Sequence, residues 1–191
     1  HTKTPVNALE DLKGMRVRGA SRIVNMTLEQ MGAIPVGMPA PAVSEALSKG
    51  VISGTSLQWE VVPALRIQQM VKNHTITHGE RGLYTGTFAF VMNRNTYDKL
   101  PPDLKKVIDN NSGPQVAALF GRAMNEGDQR GIDAVKKEGN TIITLDSTET
   151  ARWQRATSRV RAMWYQDVGK RGISGEKLAA EADALIAKHN K

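Results

Sequence analysis

Arg18 closes the run Asp11-Leu12-Lys13-Gly14-Met15-Arg16-Val17-Arg18-Gly19. The run reads as a helix turn, a tight glycine and a short strand that delivers a guanidinium at its end. Open α/β sheets take their ligands outside the carboxyl ends of their strands. A guanidinium held there grips a carboxylate through two parallel hydrogen bonds, which a lysine cannot do. Taken alone, Arg18 is ordinarily a solvated arginine beside Arg16.

Other residue types with chemical potential fall away on spacing. His74 and His78 stand four apart around Thr75-Ile76-Thr77, which favours a surface strand, and no glutamate lies between them to complete a metalloprotease pattern. Gly169-Lys170-Arg171-Gly172-Ile173-Ser174-Gly175 has its lysine before the second glycine and no strand feeding it, so it reads as a loop rather than a phosphate cradle. No serine sits in a nucleophile elbow, and paired carboxylates such as Glu181 and Asp183 fall on helix surfaces. No residues present themselves as acid, base or nucleophile, so the expectation is a protein that is not an enzyme. No metal or cofactor is implied.

The chain has 191 residues, 40% hydrophobic and 24% charged, enough for one sizeable domain or two small lobes. It has no cysteine, which excludes disulfides, thiolate zinc sites and thiol catalysis. No apolar run reaches the length of a membrane span, and no secretion signal is recognisable. The net charge of +7 is scattered, and three Phe and three Tyr supply few stacking platforms, so nucleic acid is not an expected partner.

The elements that must position Arg18 follow from periodicity and punctuation. Pro5 to Lys13 is a loop leading into a short helix, with Asn7 as its cap and Glu10 three residues on. Met15 to Arg18 is a strand, Ser21 to Met31 a helix ended by Gly32, and Ile34 to Val36 a second strand. After the rigid turn Met38-Pro39-Ala40-Pro41, Ala42 to Lys49 is a helix and Val51 to Gly54 a third strand. This alternation calls for βαβ units and a parallel sheet. Trp59 to Val71 is expected to be helical. Phe88 to Asn93 is the most apolar strand candidate. Pro102 to Lys137 is one long helix or two stacked ones, interrupted at Ser112-Gly113-Pro114. Thr141 to Leu145 is a strand, Asp146 or Ser147 caps a helix to about Val168, and a last helix runs from Ser174 to about Lys188. Trp59 is open to being either core or pocket wall. Met38 leans toward packing.

Taken in order, these segments resemble a family. Asp11 to Arg18, Gly32-Ala33-Ile34-Pro35-Val36, Val43 to Gly54, Trp59-Glu60, Phe90-Val91-Met92-Asn93 and Tyr97 to Ile108 are similar to the DctP-like solute-binding proteins of tripartite ATP-independent periplasmic (TRAP) transporters. The resemblance covers nearly the whole chain. It implies an α/β, two-lobed fold of the periplasmic-binding-protein kind, and assigns the substrate carboxylate to the arginine at the position of Arg18. It makes Ser56, Leu57 and Trp59 pocket residues, with Met38 shaping the apolar part and Tyr84 and Phe88 where the chain crosses between lobes. Sialic-acid-type members have an asparagine at Leu57 and an aromatic near Ala40, so a smaller or more apolar acid is implied here.

The resemblance also implies a longer protein, with an N-terminal βα lobe ahead of this segment. Residues 1–83 and 124–191 then form the second lobe, and 84–123 cross into an incomplete first lobe. The apolar stretch 88–92 would lack neighbours, which leads us to expect a dimer or swapped assembly. The implied function is extracytoplasmic: a periplasmic subunit that captures an organic acid and hands it to membrane permease subunits. A carboxylate-binding sensor without transport is the alternative.

Overall fold

The computed structural model describes residues 1–79 and 82–189. Strand β1 (Arg16–Gly19) is the centre of a parallel three-stranded sheet, with β2 (Ile34–Gly37) on one side and β3 (Gly54–Thr55) on the other. Arg18 is opposite Val36 on β2 and Thr55 on β3. A second parallel pair joins β4 (Asn73–Ile76) to β5 (Thr141–Thr144). Thr2 connects the two pieces through antiparallel bridges to Gly54 and Asn73. Its N–H donates to the Asn73 carbonyl (2.8 Å) and its carbonyl accepts from the Asn73 N–H (3.2 Å).

Helices cover both faces. Helix α1 (Arg22–Gln30) starts at Ser21, whose Oγ accepts the Val24 N–H at 3.2 Å, and ends before Gly32 at φ +86°. Val24 and Leu28, one turn apart, enter a cluster with Val6, Leu12, Val17, Met31, Leu145 and Trp153. Helix α2 (Val43–Ser48) and the short α3 (Ile67–Met70) build the other cluster, around Leu47, Ile52, Val62, Ile67 and Val135. Helices α4 (Arg94–Asp98) and α5 (Pro102–Asn110) lead to the 24-residue α6 (Pro114–Lys137), after Gly113 at φ +85°. Helices α7 (Ser147–Thr157), α8 (Arg159–Gly169) and α9 (Gly175–His189) complete the chain. On α7, Glu149 accepts from the Leu9 N–H (2.6 Å) and the Trp153 indole (3.0 Å), tying the helix to the N-terminal turn.

Several expectations change. The N-terminal turn is a 3-10 helix over Leu9–Leu12 flanked by Ala8, not a helix capped by Asn7; the Asp11 carboxylate accepts the Asn7 and Ala8 N–H groups instead. The third strand is Gly54–Thr55 rather than Val51–Gly54, starting three residues later and ending one later, because pairing with β1 begins at Gly54. Trp59 to Val71 is not one helix: a 3-10 turn (Trp59–Val61) is separated from α3 by Pro63 and by Arg66, which adopts φ +52°. The expected helix from Ser147 to Val168 divides at Ser158 into α7 and α8. Phe88 to Asn93 is not a strand. No strand pairs with it among the described residues, and an apolar run with nothing to complete its ladder gains nothing from extended pairing. Phe90 is left 99% exposed.

The His74 strand is real, but its histidine is sealed rather than on the surface, at 0% exposure. Asn140 Nδ2 reaches His74 Nε2 at 3.1 Å, and His1 Nδ1 lies 2.7 Å from His74 Nδ1. An acceptor role at Nε2 places the His74 proton on Nδ1, in the neutral ring. Burial, aided by Lys72, lowers its pKa from 6.5 to about 4. Unfolded chains therefore take up the proton first as pH falls. The stability held by neutral His74 is complete above pH 6.5 and lost progressively toward pH 4. Urea denaturation is expected to show a loss of about 3 kcal/mol across that window from this residue, and His74→Gln should flatten that part of the profile.

Candidate functional site

Val17 enters the first core cluster, so strand alternation turns Arg18 to the opposite face of β1. Val36, its register partner, packs on the second cluster, as do Met38, Leu57 and Trp59. Arg18 is only 5% exposed. Its Nε donates to the Met38 carbonyl at 3.1 Å and its Nη1 to the Ser56 carbonyl at 3.4 Å. The Ser56 N–H returns a bond to the Arg18 carbonyl at 2.8 Å. The turns that follow β2 and β3 thus clamp the side chain from both sides.

No carboxylate forms a salt bridge with Arg18 among the described residues. Burial lowers its pKa from the ordinary arginine value, and the Tyr84 phenol acts in the opposite sense. A guanidinium nevertheless stays charged in proteins. The edge of the sheet therefore holds a largely desolvated cation whose hydrogen bonds go only to neutral carbonyls, an arrangement that favours an anion.

Trp59 stands in the turn after β3. Its ring lies 5.6 Å from that of His74 and meets His1 edge-on at 5.0 Å. Helix α6 fixes the backbone of this turn. Gly127 and Gly131 sit one turn apart and face it; a Cβ on Gly131 would lie 2.0 Å from the Trp59 carbonyl oxygen, and one on Gly127 would lie 2.7 Å from Glu60 Cβ. Between these glycines, Asp128 Oδ1 accepts the Glu60 N–H at 3.0 Å. Burial and the facing Asp128 carboxyl raise the Glu60 pKa above the ordinary glutamate value.

Tyr84 is half-buried against the first cluster, and its phenol faces Ser56 and Arg18. Burial raises its pKa, while Ser56 and Arg18 offset part of that rise. Tyr84 Oη and Ser56 Oγ are buried as each other's polar neighbours and have no further side-chain partner among the described residues. Arg18, Met38, Ser56 and Tyr84 thus come together. Leu57 and Trp59 flank them on the second cluster. Phe88 does not join them; the residue is 69% exposed.

Two residues at this edge escaped the sequence reading. Thr55 is opposite Arg18 and has a buried hydroxyl without a partner. Its signal was the strand register, hidden because Gly54 looked like a terminator. Asn25 of α1 reaches over Gly19 and Gly37, which end β1 and β2; a Cβ on Gly19 would lie 2.0 Å from Asn25 Oδ1. An amide in an otherwise apolar helix stretch beside two strand-end glycines was the available clue.

The family model described as bacterial extracellular solute-binding protein, family 7 (DctP), matches residues 1–167. A solute-binding protein of Albidiferax ferrireducens is 26% identical over 183 residues, covering 95% of this chain and 52% of its own length. The C4-dicarboxylate-binding periplasmic protein DctP of Rhodobacter capsulatus is 25% identical, over 92% of this chain and 52% of its own. A TRAP solute-binding protein from Rhodoferax ferrireducens, solved with copurified benzoate, superposes with a TM-score of 0.95 at 43% identity. A marine metagenome TRAP solute-binding protein specific for aromatic acid ligands, solved with 3-hydroxybenzoate, gives 0.96 at 39%. Each match covers all of this chain and 60% of the solved one. The chain spans about half the length of the curated relatives it matches. Its mixed helix and parallel-sheet architecture is that of these solved proteins, as the sequence led us to expect.

The backbone contact between α6 and the Trp59 turn has a direct test. Gly131→Ala forces the helix and the turn apart. It should cost about 1–3 kcal/mol or more in urea denaturation and alter tryptophan fluorescence of the folded protein.

Proposed function

We propose that this chain, which belongs to family 7 of the bacterial extracellular solute-binding proteins, holds an organic acid by its carboxylate, with Arg18 as the anchor. The observation that carries this is the burial of Arg18 with only carbonyl partners. A carboxylate supplies the missing counter-charge and fits the planar fork of donors. Trp59, Met38 and Leu57 offer a flat and apolar flank, and two solved relatives at 39% and 43% identity hold aromatic carboxylates. The class we favour is therefore an aromatic monocarboxylate.

The natural protein works in the periplasm and delivers its acid to membrane permease subunits, making and breaking no bond. The family supports this, and among the described residues no helix is long and apolar enough to cross a membrane. Residues 1–83 and 124–191 serve as one lobe and 84–123 as an arm into the other. The exposed Phe88, Phe90, Val91, Leu119 and Phe120 on that arm support this division. No second copy of the chain is needed to cover them.

A thermal-shift screen of organic acids on the full-length natural protein should single out aromatic carboxylates, because a ligand of the folded state raises the melting temperature. Arg18→Ala should then cost roughly 2–5 kcal/mol of binding, a loss of about 30-fold or more by calorimetry. Unchanged affinity in that variant would remove Arg18 from the anchoring role.

A further inference from the structure

His1 and His74 belong to a chain of hydrogen bonds that ends beside the carboxylate site without entering it. Leu57 presents a backbone carbonyl, which only accepts, and His1 Nε2 lies 3.1 Å from it. His1 Nε2 therefore carries the proton, and in the neutral ring Nδ1 is left as an acceptor. That nitrogen lies 2.7 Å from His74 Nδ1, which must then be the donor. His74 Nε2 is left with a lone pair, and Asn140 Nδ2 stands 3.1 Å away to fill it. The Asn140 amide cannot be turned over. Its nitrogen also faces the carbonyls of Gln68 (2.7 Å) and Val71 (3.0 Å), which would repel its oxygen.

Each ring nitrogen thus has one role, and the direction is fixed at both ends. An added proton would set two N–H groups face to face, either between the rings or between His74 and Asn140. The relay therefore holds only while both rings are neutral, and the burial of His74 acts in the same sense.

The relay ends where the site begins. The Ser56 carbonyl accepts Arg18 Nη1 at 3.4 Å, and the next carbonyl along the chain, that of Leu57, accepts His1. This stretch lies past the ladder of β3, which stops at Thr55. Two residues on, the Trp59 ring rests on both imidazoles, 5.0 Å from His1 and 5.6 Å from His74. The far end is Asn140, between α6 and β5, whose N–H donates to the Val135 carbonyl at 3.2 Å.

Resting on the carboxylate-binding function above, we propose that His1, His74 and Asn140 are positioning residues for the bound acid: a one-directional relay of neutral side chains that sets the turn over residues 56–59, and with it the indole, without touching the ligand. His74 is the member fixed in the core. His1 is the adaptor that carries its order to the Leu57 carbonyl. A turn held in place beforehand spares the acid the cost of ordering it on binding.

Two substitutions in the full-length natural protein separate hydrogen bonding from packing. His1→Gln keeps an acceptor and a donor on either side of one carbon, as the imidazole keeps them on either side of Cε1, and so preserves the direction of the relay. His1→Phe keeps a ring against Trp59 and breaks the relay. By calorimetry with benzoate, His1→Phe should bind about three- to tenfold more weakly, the cost of ordering a side chain on binding, and His1→Gln should stay close to the unsubstituted protein. A purely structural role would lower the melting temperatures of the variants and leave the affinity of the folded protein unchanged. Imidazole nitrogen-15 NMR of the unliganded, unsubstituted protein at neutral pH reads the relay itself: His74 should be protonated on Nδ1 and His1 on Nε2. The same tautomer in both rings, or His1→Gln binding as weakly as His1→Phe, would overturn the proposal. If His1→Phe binds benzoate as well as the unsubstituted protein does, the function stands and the positioning role falls. If the unsubstituted protein binds no aromatic acid, the function falls and takes the role with it.

Discussion

The sheet depends on three residues of extended backbone, His1 to Lys3. Thr2 lies between β3 and β4: it exchanges two hydrogen bonds with Asn73, while its neighbours His1 and Lys3 make those to Thr55 and Ser53. Without this segment, the three-stranded piece that presents Arg18 and the pair β4–β5 would be separate sheets, and a two-stranded pair is marginal alone. The fit is tight on both sides. Gly54 has no side chain, and a Cβ there would lie 2.7 Å from Thr2 Cγ2 and 2.9 Å from the His1 carbonyl oxygen. Asn73 is held in turn through its side-chain amide, which donates to the Lys3 carbonyl at 3.0 Å. Segments far apart in sequence thus determine where Ser56 and Trp59 stand, because both follow directly from the strand that Thr2 pins.

The parts of the fold legible in the sequence are those governed by local rules. Gly14, Ser21 and Gly32 punctuate β1, α1 and β2 through turn and cap chemistry, and the alternation of short strands with helices leaves few topologies. Arg18 was readable for the same reason: a strand end is a local feature. The less legible parts depend on partners distant in sequence. Thr75-Ile76-Thr77 gives no sign of which face of its strand is buried, so His74 passed for a surface residue until Trp59 and Asn140 closed over it. Ser158 divides α7 from α8 with neither glycine nor proline to mark the break. Phe88 to Met92 has the composition of a strand, but strand formation is a property of a pair.

The candidate site shows the same division. Its cation was visible, and so was the aromatic beside it. What was not visible was the company that gives the cation its character. Tyr84 arrives from a segment with no regular structure, and its position beside Arg18 is set by packing of Leu83 and Tyr84 on the first core cluster. Asn25 depends on two glycines that look like ordinary strand ends until the helix is laid over them. Polar groups at a ligand edge are organised by contacts across elements, whereas the elements themselves are organised along the chain.

The glycine notch on α6 has a mechanical meaning. Most helix contacts in proteins are cushioned by side chains, whose rotamers absorb small displacements. Where Gly131 meets the Trp59 carbonyl, main chain presses on main chain with no such compliance between them. The helix is a rod of 24 residues, roughly 36 Å at its usual rise, whose other end emerges from the exposed arm. A tilt imposed on the arm would therefore reach the backbone of the Trp59 turn with little slack.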